Sequence, residues 1–175
     1  MPHTFYKTKE GSPRVSLAEA VHAANRTIHS RGTQNRDFQR MGTTCTALAL
    51  TRLWAIVAHV GDSRCYRVRR DRIDQLTFDH SIVWELARER GVAPEKIDLI
   101  EHRNVITRSL GPEQEANVDV EGPIPVLPGD VYALCSDGLT NHLADEEIAV
   151  AVRELAPQQA SKLLVQLANL RGGSD

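Results

Sequence analysis

The sequence has no long hydrophobic run, so we do not expect a membrane-spanning helix. None of its apolar stretches approaches the roughly 20 residues that a helix needs to cross a bilayer. The first residues, Met1-Pro2-His3-Thr4, do not form a basic and then apolar export signal. We therefore expect a cytoplasmic protein that has no membrane partner.

An excess of charge of one sign is also lacking. The chain has 21 Lys and Arg against 23 Asp and Glu, a formal net charge of −2 with its histidines counted as neutral. Domains that bind nucleic acid or anionic lipid concentrate basic charge on one face. The balance therefore argues against nucleic acid as the main partner.

Cysteine is scarce, and no Cys-x-x-Cys pair offers zinc its usual ligand spacing. Cys45, Cys65 and Cys135 lie far apart, each in or beside an apolar, strand-like run. Such cysteines are typically buried free thiols. We expect that role for all three.

The composition is that of one folded domain. The chain has 175 residues, of which 41% are hydrophobic and 25% charged, and this suffices for a substantial core. Residues 1–15 show no periodic pattern, so we interpret them as a loose lead-in to a domain over residues 16–175.

Hydrophobic periodicity predicts a helix, then many strands, then helices. The first helix begins at Ser16, which forms a capping box with Glu19, and ends near Gly32. Runs rich in β-branched residues predict strands at 43–50, 53–60, 64–69, 73–76, 105–109, 117–122 and 131–136. Further helices are predicted at 82–90, 94–100, 145–155 and 157–170. Because strands follow strands without regular crossover helices, we expect an antiparallel sheet layered with helices.

The last predicted strand ends on a carboxylate, Asp137, which is followed at once by Gly138. A strand end fixes the direction of such a side chain, and the glycine leaves space for an ion. Carboxylate oxygens favour hard cations such as Mg²⁺ and Mn²⁺. Taken alone, however, Asp-Gly is more often a simple turn, so the other motifs have to decide.

This aspartate belongs to the last of five short motifs that occur in a fixed order. They are Met41-Gly42-Thr43-Thr44, Ala58-His59-Val60-Gly61-Asp62-Ser63-Arg64, Leu76-Thr77-Phe78-Asp79-His80-Ser81, Ile106-Thr107-Arg108-Ser109-Leu110-Gly111 and Ser136-Asp137-Gly138-Leu139. In order and spacing the chain from Ser16 to Asp175 resembles the type 2C (PPM-type) family of metal-dependent serine/threonine protein phosphatases, particularly its small bacterial members.

The resemblance implies an α+β fold in which two antiparallel sheets form a sandwich flanked by helices, in α-β-β-α layers. It also implies a binuclear Mn²⁺ or Mg²⁺ centre at one end of the sandwich, with a third, weaker metal beside it. In such a centre two metals lower the pKa of a bridging water, which then attacks the phosphoryl group in line. The substrates are phosphorylated proteins, hydrolysed at phosphoserine and phosphothreonine.

The resemblance assigns metal-binding roles to three aspartates. Asp137 matches a ligand of a core metal, Asp79 matches the ligand of the third metal, and Asp175 matches a second core ligand. Ser136, Gly138 and His80 would be adjacent to the site.

Other charged residues in the motifs receive structural interpretations. We expect Asp62 and Arg64 to satisfy backbone and side-chain groups at a bend, and Arg108 to have a carboxylate partner in the core. His59, on an apolar strand, is expected to be a satisfied core histidine. Residues 82–104 match the flap of the bacterial family members, next to the catalytic cleft, and flaps of this kind are mobile.

The chain also departs from the family pattern. The family has a strand with an Asn-Glu-Asp motif and then an Asp-Gly-x-Gly-Gly motif before its first long helix, and a terminal strand after the aspartate matched by Asp175. This sequence contains neither upstream motif, so we expect a domain truncated at both ends, lacking the family's first strands and last strand, with impaired hydrolysis. No residue is assigned as catalytic.

Three further expectations follow from that departure or compete with the phosphatase interpretation. One is a non-catalytic module that binds a phosphoprotein or regulator. Another takes Leu86–Pro94 as the turn of a DNA-binding helix-turn-helix. It is disfavoured because its recognition helix would contain the acidic residues Glu95, Asp98 and Glu101. The last is self-association through sheet edges that are exposed because the family's first strands and last strand are absent.

Overall fold

The computed structural model describes residues 12–97 and 105–173. Within these ranges the chain forms five α-helices and six strands in an α+β arrangement. They are α1 (Pro13–Gln34), β1 (Cys45–Leu50), β2 (Trp54–Val60), β3 (Arg64–Arg69), β4 (Arg72–Gln75), α2 (Ile82–Arg90), β5 (Asp119–Pro125), β6 (Val131–Cys135), α3 (Asp137–Thr140), α4 (Asp145–Glu154) and α5 (Pro157–Leu170). No helix in the described part of the chain is long and apolar enough to cross a bilayer.

The strands form two three-stranded antiparallel sheets. One has the order β1-β2-β5 and the other β4-β3-β6. Helix α1 packs on the first sheet, whereas α4 packs on the second and α5 packs on α4. The predicted α-β-β-α sandwich is therefore confirmed.

The central strands carry the core. Residues Ala55 to Val60 of β2 are all buried, as expected for a nearly continuous apolar run covered on both faces. On one side, Ile56, Ala58 and Val60 pack against Leu17 and Val21 of α1. On the other sheet, Tyr66 of β3 packs against the inner faces of α4 and α5.

Helix α1 begins three residues earlier than the sequence pattern predicts. Pro13 is its first residue, and the backbone N–H of Val15 donates to the Ser12 side chain at 3.4 Å. Proline suits this position because the first helical N–H has no partner inside the helix. Arg14 then donates to the carbonyls of Val120 (2.5 Å) and Gly122 (2.8 Å) on β5. Residues 13–15 therefore belong to the fold, and the predicted lead-in boundary at residue 15 is wrong.

Two other predicted elements differ from the structure. The segment predicted as a strand at 105–109 forms only one isolated bridge, from Ile106 to Ser81, and a second bridge, from Leu110 to Thr43, lies just after it. Because it contacts two different partners in turn, no continuous ladder develops. The second flap helix is a short 3₁₀ turn at Pro94–Lys96, and residues 98–104 lie outside the described part of the chain.

Candidate functional site

The turn between β2 and β3 holds Asp62 at one end of the sandwich. Its preceding residue, Gly61, has φ +114°, and a Cβ there would lie 2.4 Å from the Thr44 side chain. Only glycine fits this conformation and this space. The Thr44 hydroxyl also hydrogen-bonds the Ser63 hydroxyl at 2.9 Å. The start of β1 and the turn therefore fix each other.

His80 holds the same turn from the other side. Its backbone N–H donates to the Gly61 carbonyl at 2.7 Å, and its Nδ1 accepts from the Gly61 N–H at 3.0 Å. Because Nδ1 accepts, the proton of the neutral ring lies on Nε2, which donates to Asp119 at 3.0 Å. His80 is buried, at 1% exposure. It therefore contacts the turn that carries Asp62 from inside the sandwich rather than from an open rim.

Arg108 completes this group, because it donates to the other oxygen of Asp119 at 3.1 Å. Arg108 therefore has a carboxylate partner, although we predict that partner within the core. Both side chains are partly exposed, at 32% and 41%, so the pair lies at the surface and not within the core.

Asp79 lies in a compensated, buried environment. It is 5% exposed, and it accepts hydrogen bonds from Arg64 Nε (2.9 and 3.0 Å), Arg64 Nη2 (2.7 Å) and Gln75 Nε2 (2.9 Å). Burial raises the pKa of Asp79, and the bonds from Arg64 and Gln75 oppose that rise. A metal ion at Asp79 would have to compete with Arg64 for its oxygens.

Arg64 connects this carboxylate to the helical layer. Its Nη1 donates to the Tyr66 hydroxyl at 3.0 Å, and that hydroxyl donates to Asp145 at 2.8 Å. Asp145 is the first residue of α4. The arrangement supports the structural role that we predict for Arg64.

Asp137 is placed quite differently. It is the first residue of the short helix α3, and not the end of a strand, and its side chain is half-buried. The one side-chain hydrogen bond that it accepts within the described residues is a long contact of 3.4 Å from Asn141. Gly138 follows it and Ser136 precedes it, with Ser136 exposed. Its oxygens thus remain open to another ligand.

The charge of Asp137 acts on Asp62. Burial raises the pKa of Asp62, and the negative charges of Asp137 and Asp79 raise it further. Carboxylates that repel in this way are stabilised in their charged form by a nearby cation. This end of the sandwich is therefore electrostatically suited to a divalent metal.

The described residues fit only part of a binuclear metal centre. Asp137 offers free oxygens, Asp79 is occupied by Arg64, and Asp175 lies outside the described part of the chain. Among residues 12–97 and 105–173, no group of three or more His, Cys, Asp or Glu side chains is arranged to hold a metal ion. We therefore derive no catalytic step through a metal from this geometry.

His59 is a buried histidine that is satisfied at only one nitrogen. Thr46 donates its single hydroxyl proton to the Ser63 carbonyl at 2.9 Å, so it accepts from His59 Nδ1 at 2.9 Å. His59 Nε2 has no hydrogen-bond partner in the described structure. Burial, with a contribution from the nearby His80, lowers the pKa of His59 to about 4. The expectation of a fully satisfied histidine is therefore wrong.

Sequence reasoning missed three residues of this region: Gln75, Tyr66 and Asp119. Asp119 lies 39 residues after His80 in the chain, and no local motif signals that contact. Tyr66 reads as an ordinary strand residue. Only the polar Gln75, four residues before Asp79, gave a signal that could have been used.

Comparison with known proteins agrees with these motifs. The family model for protein phosphatase 2C matches residues 3–91. Protein phosphatase PhpP of Streptococcus pneumoniae is 36% identical over 163 residues, which are 93% of this chain and 65% of that protein. The chain thus spans less than two thirds of that relative.

Solved structures extend the likeness to the fold. The PPM Ser-Thr phosphatase MsPP from Mycobacterium smegmatis, in complex with cacodylate, has a TM-score of 0.84 and 33% identity. That match covers 99% of this chain and 74% of MsPP. The catalytic domain of the serine threonine protein phosphatase PstP, in complex with two manganese ions, has a TM-score of 0.79 and 31% identity, covering 99% of this chain and 72% of that domain. The chain therefore belongs to the protein phosphatase 2C family.

Proposed function

We propose that this chain carries the central part of a protein phosphatase that hydrolyses phosphoserine and phosphothreonine with Mn²⁺ or Mg²⁺. The open carboxylate of Asp137, close enough to Asp62 to raise its pKa, is the observation that carries the proposal. When bound, the metals of such a centre supply an activated water and neutralise the phosphoryl oxygens. Asp137 would hold one of them.

The activity of the 175-residue form is proposed to be impaired. The described residues supply one open carboxylate ligand where a two-metal centre needs shared ligands held on rigid elements. Asp175 stays a proposed second core ligand. Asp79 stays a proposed ligand of the third metal, although its bonds with Arg64 favour a structural role.

One observation favours a second candidate function. Arg64 neutralises Asp79 in a geometry that requires no metal, so the fold can persist without one. We propose as the alternative a non-catalytic module that binds a phosphoprotein or a regulator through the same end of the sandwich.

The experiment is manganese-dependent hydrolysis of an aryl phosphate and of a phosphothreonine peptide. Three proteins are compared: the 175-residue chain, its Asp137→Asn variant, and a chimera that adds the flanking segments of the S. pneumoniae PhpP relative. We expect little turnover by the chain, at least a hundredfold more by the chimera, and loss of the gain when Asp137→Asn is placed in the chimera.

The matched control is Asp71→Asn, which removes an aspartate with 95% exposure that pairs with Arg153. It should leave the activity of the chimera unchanged. Turnover by the 175-residue chain equal to that of the chimera would refute the impairment. A chimera whose activity does not respond to Asp137→Asn would refute the assigned role of Asp137.

We also propose that the chain self-associates through exposed sheet edges and works in the cytoplasm. β1 and β6 are edge strands, and most of their residues are partly exposed, as unpaired edges are. Analytical ultracentrifugation between 1 and 100 µM tests the first point, and a monomer throughout would contradict it. Fractionation of cells that express a tagged chain tests the second.

A further inference from the structure

A cavity lies between β2 and β5 of the first sheet and the segment that joins β4 to α2. Its volume is about 560 Å³, within the range of about 300–1,000 Å³ that is usual for small-molecule sites. Most of its wall is apolar or aromatic and is formed by Val57, Leu76, Phe78, Trp84 and Ile124. Walls of this kind with a few polar groups among them are typical of a ligand site.

One buried polar atom in the cavity wall has no partner. His59 lines the cavity and is 2% exposed, and its Nδ1 donates to Thr46 on the neighbouring strand β1. The two ring nitrogens point in nearly opposite directions, so Nε2 points away from β1 and toward the side on which β5 lies. Nε2 is a lone-pair acceptor, and no donor of the described residues reaches it. A buried acceptor without a donor is costly, so an N–H group of a ligand would be stabilised here.

Both charged residues of the cavity wall are acidic. Asp119 lies opposite His59 across the β2–β5 ladder, and Glu121 follows two residues later on the same face of β5. Asp119 is shared with His80 and Arg108, whereas Glu121 is exposed and forms no ion pair within the described residues. No Lys or Arg in the described part of the chain lines the cavity. The wall therefore attracts a cation and repels an anion.

Two aromatic rings give the cavity a flat apolar wall. Phe78 and Trp84 meet edge to face, with ring centroids 5.2 Å apart. Arginines of the chain itself lie over both rings, Arg64 over Trp84 at 5.3 Å and Arg88 over Phe78 at 5.5 Å, and neither arginine lines the cavity. The rings therefore supply apolar contact area for a ligand, and the attraction for its charge comes from the carboxylates on β5.

We propose that this cavity, the His59 pocket, binds an organic cation in which an amidinium or guanidinium group is carried on an apolar body. The planar group has several N–H donors and no acceptor, so it can donate to His59 Nε2 and to Asp119 together. Glu121 adds to the attraction, and the apolar body lies against Val57 and Ile124. A carboxylate or phosphate could not donate to His59 and would be repelled by both acidic side chains.

The probe is benzamidine, a flat ring with one amidinium group, titrated into the full 175-residue chain and followed by NMR. Benzamide has nearly the same shape without the charge, and benzoate reverses the charge. We expect saturable shift changes with benzamidine in β2, β5 and residues 75–84, binding of benzamide at least tenfold weaker, and none of benzoate. The titration contains neither metal nor phosphate substrate, so its outcome does not depend on the proposed hydrolysis.

Two matched variants test the charge of the wall. Glu121→Gln and Glu115→Gln each replace an exposed glutamate by its neutral isostere, and only Glu121 lines the pocket. Both should fold, which circular dichroism checks. Glu121→Gln should weaken benzamidine at least threefold, whereas Glu115→Gln should leave its affinity unchanged.

Nitrogen NMR of the histidine rings tests the contact with His59. The ¹⁵N signal of His59 Nε2 should move upfield when benzamidine donates to it, and the ring signals of His22 on α1 should not move. The same cationic group occurs in free small molecules and in arginine side chains of peptides, which a titration with N-acetylarginine amide separates. Tighter binding of benzamidine supports a small molecule, and tighter binding of the arginine derivative supports a peptide side chain.

Four results would overturn the proposal. They are the absence of saturable benzamidine binding, equal affinity for benzamidine and benzamide, equal behaviour of the two glutamine variants, and benzamidine binding that leaves the His59 Nε2 signal unmoved.

Discussion

The Asp79 region and the Asp137 region contain the same kind of side chain in opposite electrostatic states. Asp79 is 5% exposed and has its charge compensated by Arg64 and Gln75. Asp137 is half-buried, has one long contact with Asn141, and raises the pKa of Asp62. The charge of the first carboxylate is partly compensated by Arg64 and Gln75, whereas the second forms no ion pair within the described residues.

Asp79 and Asp137 both belong to the family motifs, but this difference distinguishes a structural carboxylate, Asp79, from a candidate functional one, Asp137. A compensated carboxylate gains from its partner and loses if the partner is removed. A pair of uncompensated carboxylates costs stability, and such costs are concentrated at sites that bind a ligand. The open carboxylate of Asp137 therefore supports the proposed core-metal role of that residue better than the environment of Asp79 supports its proposed role.

Among the variants that test this comparison, removal of Arg64 should have the largest effect on the free energy of unfolding. Arg64→Met leaves Asp79 buried without its cation, and we expect a loss of about 3 kcal/mol in the free energy of unfolding by urea. The double variant Arg64→Met/Asp79→Asn should recover much of that loss, because the buried charge is then gone. Arg72→Met, which removes an arginine at 81% exposure, should cost less than about 1 kcal/mol. If Arg64→Met lowered the free energy of unfolding no more than the control Arg72→Met does, the compensated state of Asp79 would be contradicted.

Acid should destabilise the folded chain through His59. Its pKa is about 4 in the folded chain against an ordinary 6.5, so the unfolded chain binds a proton that the folded chain does not. Stability is then fully present above about pH 7 and falls as the pH drops toward 4, by about 2 kcal/mol between pH 7 and pH 5. In His59→Asn this pH-dependent loss should disappear from urea unfolding measured across the range. If the free energy of unfolding fell equally with pH in the wild-type chain and in His59→Asn, the interpretation of His59 as a buried neutral histidine would be refuted.

The strong periodic segments of the fold were predictable from the sequence. The bounds of α2, α5 and β3 agree with the prediction at both ends, since each has a clear cap or an alternating pattern. The start of α1 was misplaced because two serines, Ser12 and Ser16, both make acceptable N-caps, and only Ser12 precedes a proline. Nothing local distinguishes them without the contact of Arg14 with β5.

The segment at 105–109 shows a different limit. Its β-branched residues suit a strand, but a strand also needs a continuous neighbour. Ile106 bridges Ser81, and Leu110 bridges Thr43, so pairing is divided between two distant parts of the chain. Local composition carries no information on that division.

For the candidate site, the motifs identified the residues but not their pairing. Asp79, Asp137, His80 and Arg108 were singled out by the motifs and the family resemblance that they carry. The Arg64–Asp79 pair and the His80–Asp119 contact, however, join residues 15 and 39 positions apart. Which carboxylate is compensated depends on where an arginine reaches in three dimensions. That information enters only with the packing of the sheets.

The smallest expected effect tests the uncompensated side. Asp137→Asn removes the charge that, after burial, raises the pKa of Asp62, so that pKa should fall toward its ordinary range in a carboxyl NMR titration. Because Asp62 is ionised above its raised pKa, the repulsion acts at neutral pH and vanishes in acid. The variant should therefore be more stable by roughly 0.5 kcal/mol at pH 7 and unchanged near pH 3. Mn²⁺ should raise the melting temperature of the wild-type chain and of Asp71→Asn but not of Asp137→Asn. An unmoved Asp62 titration, or an equal response of all three proteins to Mn²⁺, would remove the distinction between the two carboxylates.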